Sequence, residues 1–284
     1  MFILIGAFNM TNFASRFLRQ PQGIISLALL TFLIVEVALG PSLAPYDPET
    51  FHIKSRLLGP SPEFFLGTDQ FGRDILSRLL WGARTTILLS LLATLIGAVA
   101  GGVLGIISGY LGGRIDEVVM RFVDALMAIP SLLFALLIIT VLGPSGINAV
   151  IAIGIAFSPG MARVARSVTL SVKTSDYVSA AIARGESVMW IMTREVAPNM
   201  LAPVIIEATI RVAFAIMLLA TLSFLGLGSQ PPAPEWGLMI SEGRAFMFRN
   251  GWTIVWPGLS IAIVAITFNL LGDALRDALN PKNG

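Results

Sequence analysis

Few side chains in this sequence could do chemistry, and they stand far apart. Glu36, Asp124, Glu207 and Asp273 are acids in apolar surroundings, but each belongs to a different apolar stretch. General acid–base work needs two such groups within reach of one substrate, so this scatter is a poor basis for an intramembrane enzyme. A nucleophilic triad would require the single histidine, His52, which lies in a proline-rich polar segment where a surface role is expected. With no cysteine, the chain offers neither a disulfide framework nor a Cys/His zinc site, and no metal site is expected. No Gly-Lys pair occurs, so there is no G-x-x-x-x-G-K-[ST] loop to cradle phosphates. The chain is therefore not expected to be an enzyme, to hydrolyse ATP by itself or to hold a cofactor. One charged pair remains, Glu207 and Arg211, spaced i and i+4 on one helix face inside an apolar run. It could touch a transported substrate or tie helices together; structural pairing is favoured, because the two charges can satisfy each other.

Composition explains why chemistry is so sparse. Of 284 residues, 55% are hydrophobic and only 13% charged, against roughly 25% charged in a soluble domain. Mean hydropathy is +0.82, so the chain reads as an integral membrane protein. Its net charge of +2 says little, since in a membrane protein the placement of Lys and Arg carries the information.

One polar island stands out, residues 176 to 199, DYVSAAIARGESVMWIMTREVAPN. Ser175 or Asp176 can cap a first short helix, and Gly185 can end it in the left-handed conformation. A second helix, about 187–196, is expected to stop where Pro198 lacks an amide proton. The island is expected to be a compact knob; taken without any relative, it could also be an amphipathic loop on the bilayer surface.

The island resembles the EAA loop of binding-protein-dependent ABC importer permeases. Ala180, Ala181, Gly185, Ile191 and Pro198 fall in register, while Ser179 stands where that pattern has Glu and Ala197 where it has Leu. In that family the loop docks on a cytoplasmic ATPase subunit, so the resemblance implies a mechanical contact rather than a catalytic site. The missing acid leaves one polar contact to the ATPase in question.

The order of elements agrees with that family. A first span is expected over 23–44 after a cytoplasmic N-terminus, 1–22, carrying Arg16 and Arg19. Residues 45–84 are polar and proline-broken, an external segment in which Ile75, Leu79 and Leu80 mark an amphipathic helix. Gly67, Thr68, Asp69, Gly72, Arg73 and Asp74 resemble a signature of the dipeptide/oligopeptide/nickel permease branch. A second span, about 86–108, carries Gly97, Gly101, Gly105, Gly109 and Gly113, a four-residue rhythm that lets another backbone approach. A third is expected over about 118–142 with a kink at Pro130, and a fourth over about 147–168 interrupted at Pro159-Gly160. A fifth covers about 201–224 and a sixth about 253–273. The blocks at 223–237 and 268–281 resemble further signatures of the same branch; Trp236 suits a membrane-interface position.

Arg16, Arg19, Arg114, Arg163, Arg166, Lys173, Arg184, Arg194, Arg276 and Lys282 then fall on one side, which should be cytoplasmic, with both termini. The resemblance implies an all-α, six-span subunit of type I importer architecture in the bacterial inner membrane, with five helices and the 169–199 coupling loop in 85–284. Its implied partners are a second related permease chain, two ATPase subunits holding ATP and Mg, and an external substrate-binding protein, with no nucleic acid. The cargo would be a small solute, a di- or oligopeptide first. The competing class is an ion-gradient transporter with Glu36 or Glu207 as proton carrier, for which no internal repeat is visible.

Overall fold

The computed structural model describes residues 16–279. The expectations for residues 1–15, and for Pro281 and Lys282, lie outside the described residues. Among the described residues, the longer helices are α1 Pro21–Leu43, α2 Ile75–Leu111, α3 Gly113–Met127, α4 Ser131–Leu142, α5 Gly146–Lys173, α6 Asp176–Ala183, α7 Val188–Phe224, α8 Trp236–Gly243 and α9 Trp252–Leu279. Five of them (α1, α2, α5, α7, α9) are long and apolar enough to cross a membrane, and α3 with α4 makes a sixth crossing if the bent pair is counted as one.

Helix α2 has 37 residues, about 55 Å at 1.5 Å per residue, well beyond a hydrocarbon core of about 30 Å. No break separates an external amphipathic helix from a span, because Asp74 starts a single continuous helix. Its carboxylate accepts from the Ser77 amide at 2.7 Å and from the Ser77 hydroxyl at 2.6 Å. Ile75 and Leu79 are buried with Val212, Ile216, Trp236 and Val264.

The glycine rhythm explains how α2 meets α5. Gly97 faces Gly154 and Phe157, Gly101 faces Ser158 and Met161, Gly105 faces Ala162 and Ala165, and Gly109 faces Thr169. An added methyl at any of the four would lie tighter against backbone or Cβ atoms of α5 than ordinary contact allows. Gly113 does not belong to this seam. It starts α3 with φ +56°, and nothing lies within 4 Å of where its Cβ would be, so glycine there serves the turn.

Three prolines behave differently from their expected roles. At Pro130 the break is much sharper than a kink: α3 and α4 meet at 93°. Asp116 of α3 is bidentate with Arg166 of α5 at 2.5 Å, and Asp124 meets Arg163 at 2.5 Å, so two ion pairs tie α3 to α5. At Pro159, α5 continues unbroken, and the Ser158 hydroxyl donates to Ile155 O at 2.9 Å, the carbonyl that Pro159 cannot serve. At Pro198 no helix stops: α7 widens to a π turn over Met192–Val196, and Asn199 Nδ2 donates to Glu195 O at 2.6 Å. Trp236 does not present its ring to lipid or water. It is buried, its ring nitrogen donating to Leu79 O at 3.1 Å.

Candidate functional site

The knob begins at α6 and ends in the first turns of α7. At its turn, Gly185 has φ +78°, its amide donates to Ile182 O at 2.9 Å, and the Glu186 amide donates to Ala181 O at 3.2 Å. This pair of bonds is the Schellman arrangement that a left-handed residue after the helix end allows. Ser187 then caps the next helix by accepting from the Trp190 amide at 3.2 Å.

Underneath, Val178, Ala181, Ile191, Met192 and Val196 are buried with Tyr110 from the end of α2, and Val172 of α5 packs against them. Lys173 donates to Tyr110 O at 2.5 Å. The knob is thus seated on α2 and α5 and continues into α7. Its outer face stays open: Ile182 is 56% exposed and Met189 65%, with Val188, Ser179 and Ala180 also exposed. Of the residues singled out in sequence, Ala181 and Ile191 face inward, Ser179, Ala180 and Gly185 face out, and Pro198 lies beyond the knob in α7. An apolar outer face built on a fixed turn can dock in a cleft of another protein; it holds no nucleophile, acid–base pair or metal cluster.

The second candidate lies near the middle of α7. Arg211 Nη2 meets Glu207 Oε1 at 2.9 Å, both side chains being about a quarter exposed. The guanidinium also sits 5.4 Å from the Phe157 ring centroid and lies against Gly160, where a Cβ would collide with it.

A third cluster escaped sequence reasoning. Arg73 is buried between Asp69, at 2.6 Å, and Glu242 of α8, also at 2.6 Å, and Arg78 reaches the same Glu242 oxygen at 3.3 Å. Asn250 joins by donating to Leu58 O and Thr68 O at 2.9 and 3.1 Å. Asp69, Arg73 and Asp74 were visible as a signature, but Glu242 and Asn250 carry no local pattern and are brought in only by the fold. The cluster clamps the 45–74 segment onto α8.

Residues 101–284 match the family described as binding-protein-dependent transport system inner membrane component, and residues 10–60 match the N-terminal transmembrane domain of oligopeptide transport permease C. A dipeptide transport system permease protein of Haemophilus influenzae is 39% identical over 274 residues, covering 94% of this chain and 92% of that one. This chain belongs to the family of binding-protein-dependent transport permeases.

Its relatives in the family differ in named cargo. A glutathione transport system permease protein of Shigella flexneri is 41% identical over 272 residues, covering 95% of this permease and 90% of its own length. Among solved structures, an inward-facing form of the MetNI methionine ABC transporter superposes with a TM-score of 0.57 at 19% identity, over 71% of this permease and 96% of that chain. That likeness concerns the fold, the type I importer architecture. The permease is a multi-pass membrane transport protein.

Proposed function

We propose that this permease forms one half of the translocation path of an ATP-driven importer for small peptides. An external binding protein delivers the cargo, and two separate ATPase subunits drive the cycle. A second, related permease chain forms the other half. The observation that carries this reading is the knob, with its apolar outer face at Ile182, Val188 and Met189 held out by the Gly185 turn and its inner face sealed against α2, α5 and α7. ATP binding would close the ATPase pair, displace the knobs, and shift the spans from inward-facing to outward-facing, one site's binding energy biasing an equilibrium at another. In this reading the knob side, with both termini, is cytoplasmic and the membrane is the bacterial inner membrane. The peptide cargo rests on the named dipeptide relative.

The experiment compares ATP hydrolysis by the purified complex with wild-type permease and with Gly185→Trp, with and without the binding protein. Trp at a φ of +78° strains the turn and plants a large ring on the docking face. The expected result is an assembled complex that has lost stimulation by the binding protein. Stimulation equal to wild type, or failure of any ATPase to co-purify, overturns the coupling role and favours the gradient-driven alternative.

A further inference from the structure

Helix α7 has two open faces of opposite character. One forms, with α2, an apolar groove of about 580 Å³ lined by residues such as Leu95, Val99, Leu201 and Ile205. The other carries Glu207, Arg211, Phe214 and Met217. Glu207 and Phe214 lie two helical turns apart, seven residues, and Met217 follows one turn on, so all are within reach of one strip of surface. Phe214 is 56% exposed and Met217 54%.

A charged pair at this depth could not face lipid cheaply, the cost of one such charge at a helix centre being about 2.5–3.5 kcal/mol or more. Yet both side chains are partly open, and Arg211 Nε is buried with no hydrogen-bond acceptor. A pair serving only to tie helices would be sealed and fully bonded. Arg211 is instead held from behind by Phe157 and the close approach at Gly160, both on α5, which fixes where its donors point.

From this we infer that Glu207, Arg211, Phe214 and Met217 form a wall of the aqueous translocation path, and that the Glu207–Arg211 pair is a subsite for zwitterionic cargo. The guanidinium offers donors to a carboxylate, the Glu207 carboxylate accepts from an ammonium, and Phe214 and Met217 supply an adaptable apolar strip beside them. The paired charges make the wall neutral when empty, so a zwitterion can exchange partners with it and leave again. This inference rests on the importer reading above.

The cysteine-free chain allows a direct test. Phe214→Cys, Met217→Cys and, on a lipid-exposed position of α1, Phe32→Cys would each be placed in the full importer in vesicles, with wild-type dipeptide uptake measured in parallel. The probe is a charged, membrane-impermeant methanethiosulfonate. Phe214→Cys and Met217→Cys are expected to react at least tenfold faster than Phe32→Cys, and dipeptide-loaded binding protein is expected to slow that reaction during turnover while ligand-free binding protein does not. If uptake is normal but both positions are as inert as Phe32→Cys, the wall is wrong and the importer reading survives. If both react but loaded and empty binding protein act alike, the zwitterion subsite is overturned. If wild type takes up no dipeptide, the reading beneath the inference fails first.

Discussion

Two ion pairs of identical length test whether burial, rather than distance, decides what a charge contributes here. Arg73–Glu242 and Arg121–Glu117 are both 2.6 Å, but the first is 2% and 14% exposed and the second 79% and 59%. Among the described residues, Glu242→Gln leaves Arg73 and Arg78 buried with Asp69 as their one remaining ion-pair partner, so one positive charge loses its direct partner. Stranding a buried charge costs about 3–5 kcal/mol. Glu117→Gln removes an exposed i,i+4 pair on α3, worth about 0.3–0.5 kcal/mol. The assay is thermal unfolding of the purified complex, run on both single variants and on the double variant Arg73→Met with Glu242→Met. Glu242→Gln should lower the midpoint severalfold more than Glu117→Gln does. The double variant should recover a large part of the loss, because it replaces charges by apolar groups rather than orphaning one. Equal losses for the two single variants would refute the argument that the Asp69–Arg73–Glu242 cluster is a desolvated clamp.

Three other outcomes follow from the packing and the charges. Gly101→Leu should destabilise by about 1–3 kcal/mol or more, since even its Cβ collides with Ser158 and Met161, whereas Gly113→Ala should cost only the left-handed backbone penalty of about 1–2 kcal/mol; denaturation midpoints of the two variants compare them. Glu235, buried at the start of α8 in the loop outside the spans, has its carboxyl pushed above the ordinary glutamate value of about 4.5, with burial the main cause and hydrogen bonds from Ser223, Gly237 and Leu238 opposing it. A raised folded-state pKa means that the native protein holds the proton more tightly, so this group's contribution is full below about pH 4.5 and is lost as pH rises through the folded value. Wild type should therefore lose stability relative to Glu235→Gln across that rise, and parallel melting curves for the two would count against it. Ser179→Glu should leave binding-protein-stimulated ATP hydrolysis intact or raise it, because Ser179 is exposed on the outer face of α6 and an acid there has room to reach a partner; a loss of stimulation would refute the claim that the docked knob has room for an acid at this position.

How much of this was legible in sequence depended on how local the signal was. The Gly185 turn was readable because only a few residue types take positive φ after a helix end, and the four seam glycines because α2 meets α5 through one face at helical spacing. Gly113 was misassigned for the same reason: it keeps the rhythm while the helix has already ended at Leu111. Proline was over-read as a stop. Ser158 supplies a side-chain donor to the carbonyl that Pro159 leaves unserved, and α7 passes Pro198 just after a π turn, arrangements that spacing does not reveal. Trp236 and Glu242 were out of reach, since their partners Leu79 and Arg73 lie more than 150 residues away in sequence.

The geometry also says where a displacement of the knob would have to go. Its buried residues touch α2 at Tyr110 and include Met192 and Val196 of the π turn in the early part of α7, while α5 joins α6 at Lys173–Asp176. The α2–α5 seam has no slack for sliding, because glycines meet backbone and Cβ atoms along four successive turns, and α3 is pinned to α5 by Arg163 and Arg166. Close-packed contacts of this kind move as a body rather than deform. Helix α7 passes out of the knob through the π turn at Met192–Val196, where its α-helical hydrogen-bond pattern is interrupted. In the cycle proposed above, a push on the knob would reach the rest of α7 through Met192–Val196. That is the helix that carries the Glu207–Arg211 pair, so a push on the knob would act on the same helix that forms the inferred wall, without any further relay.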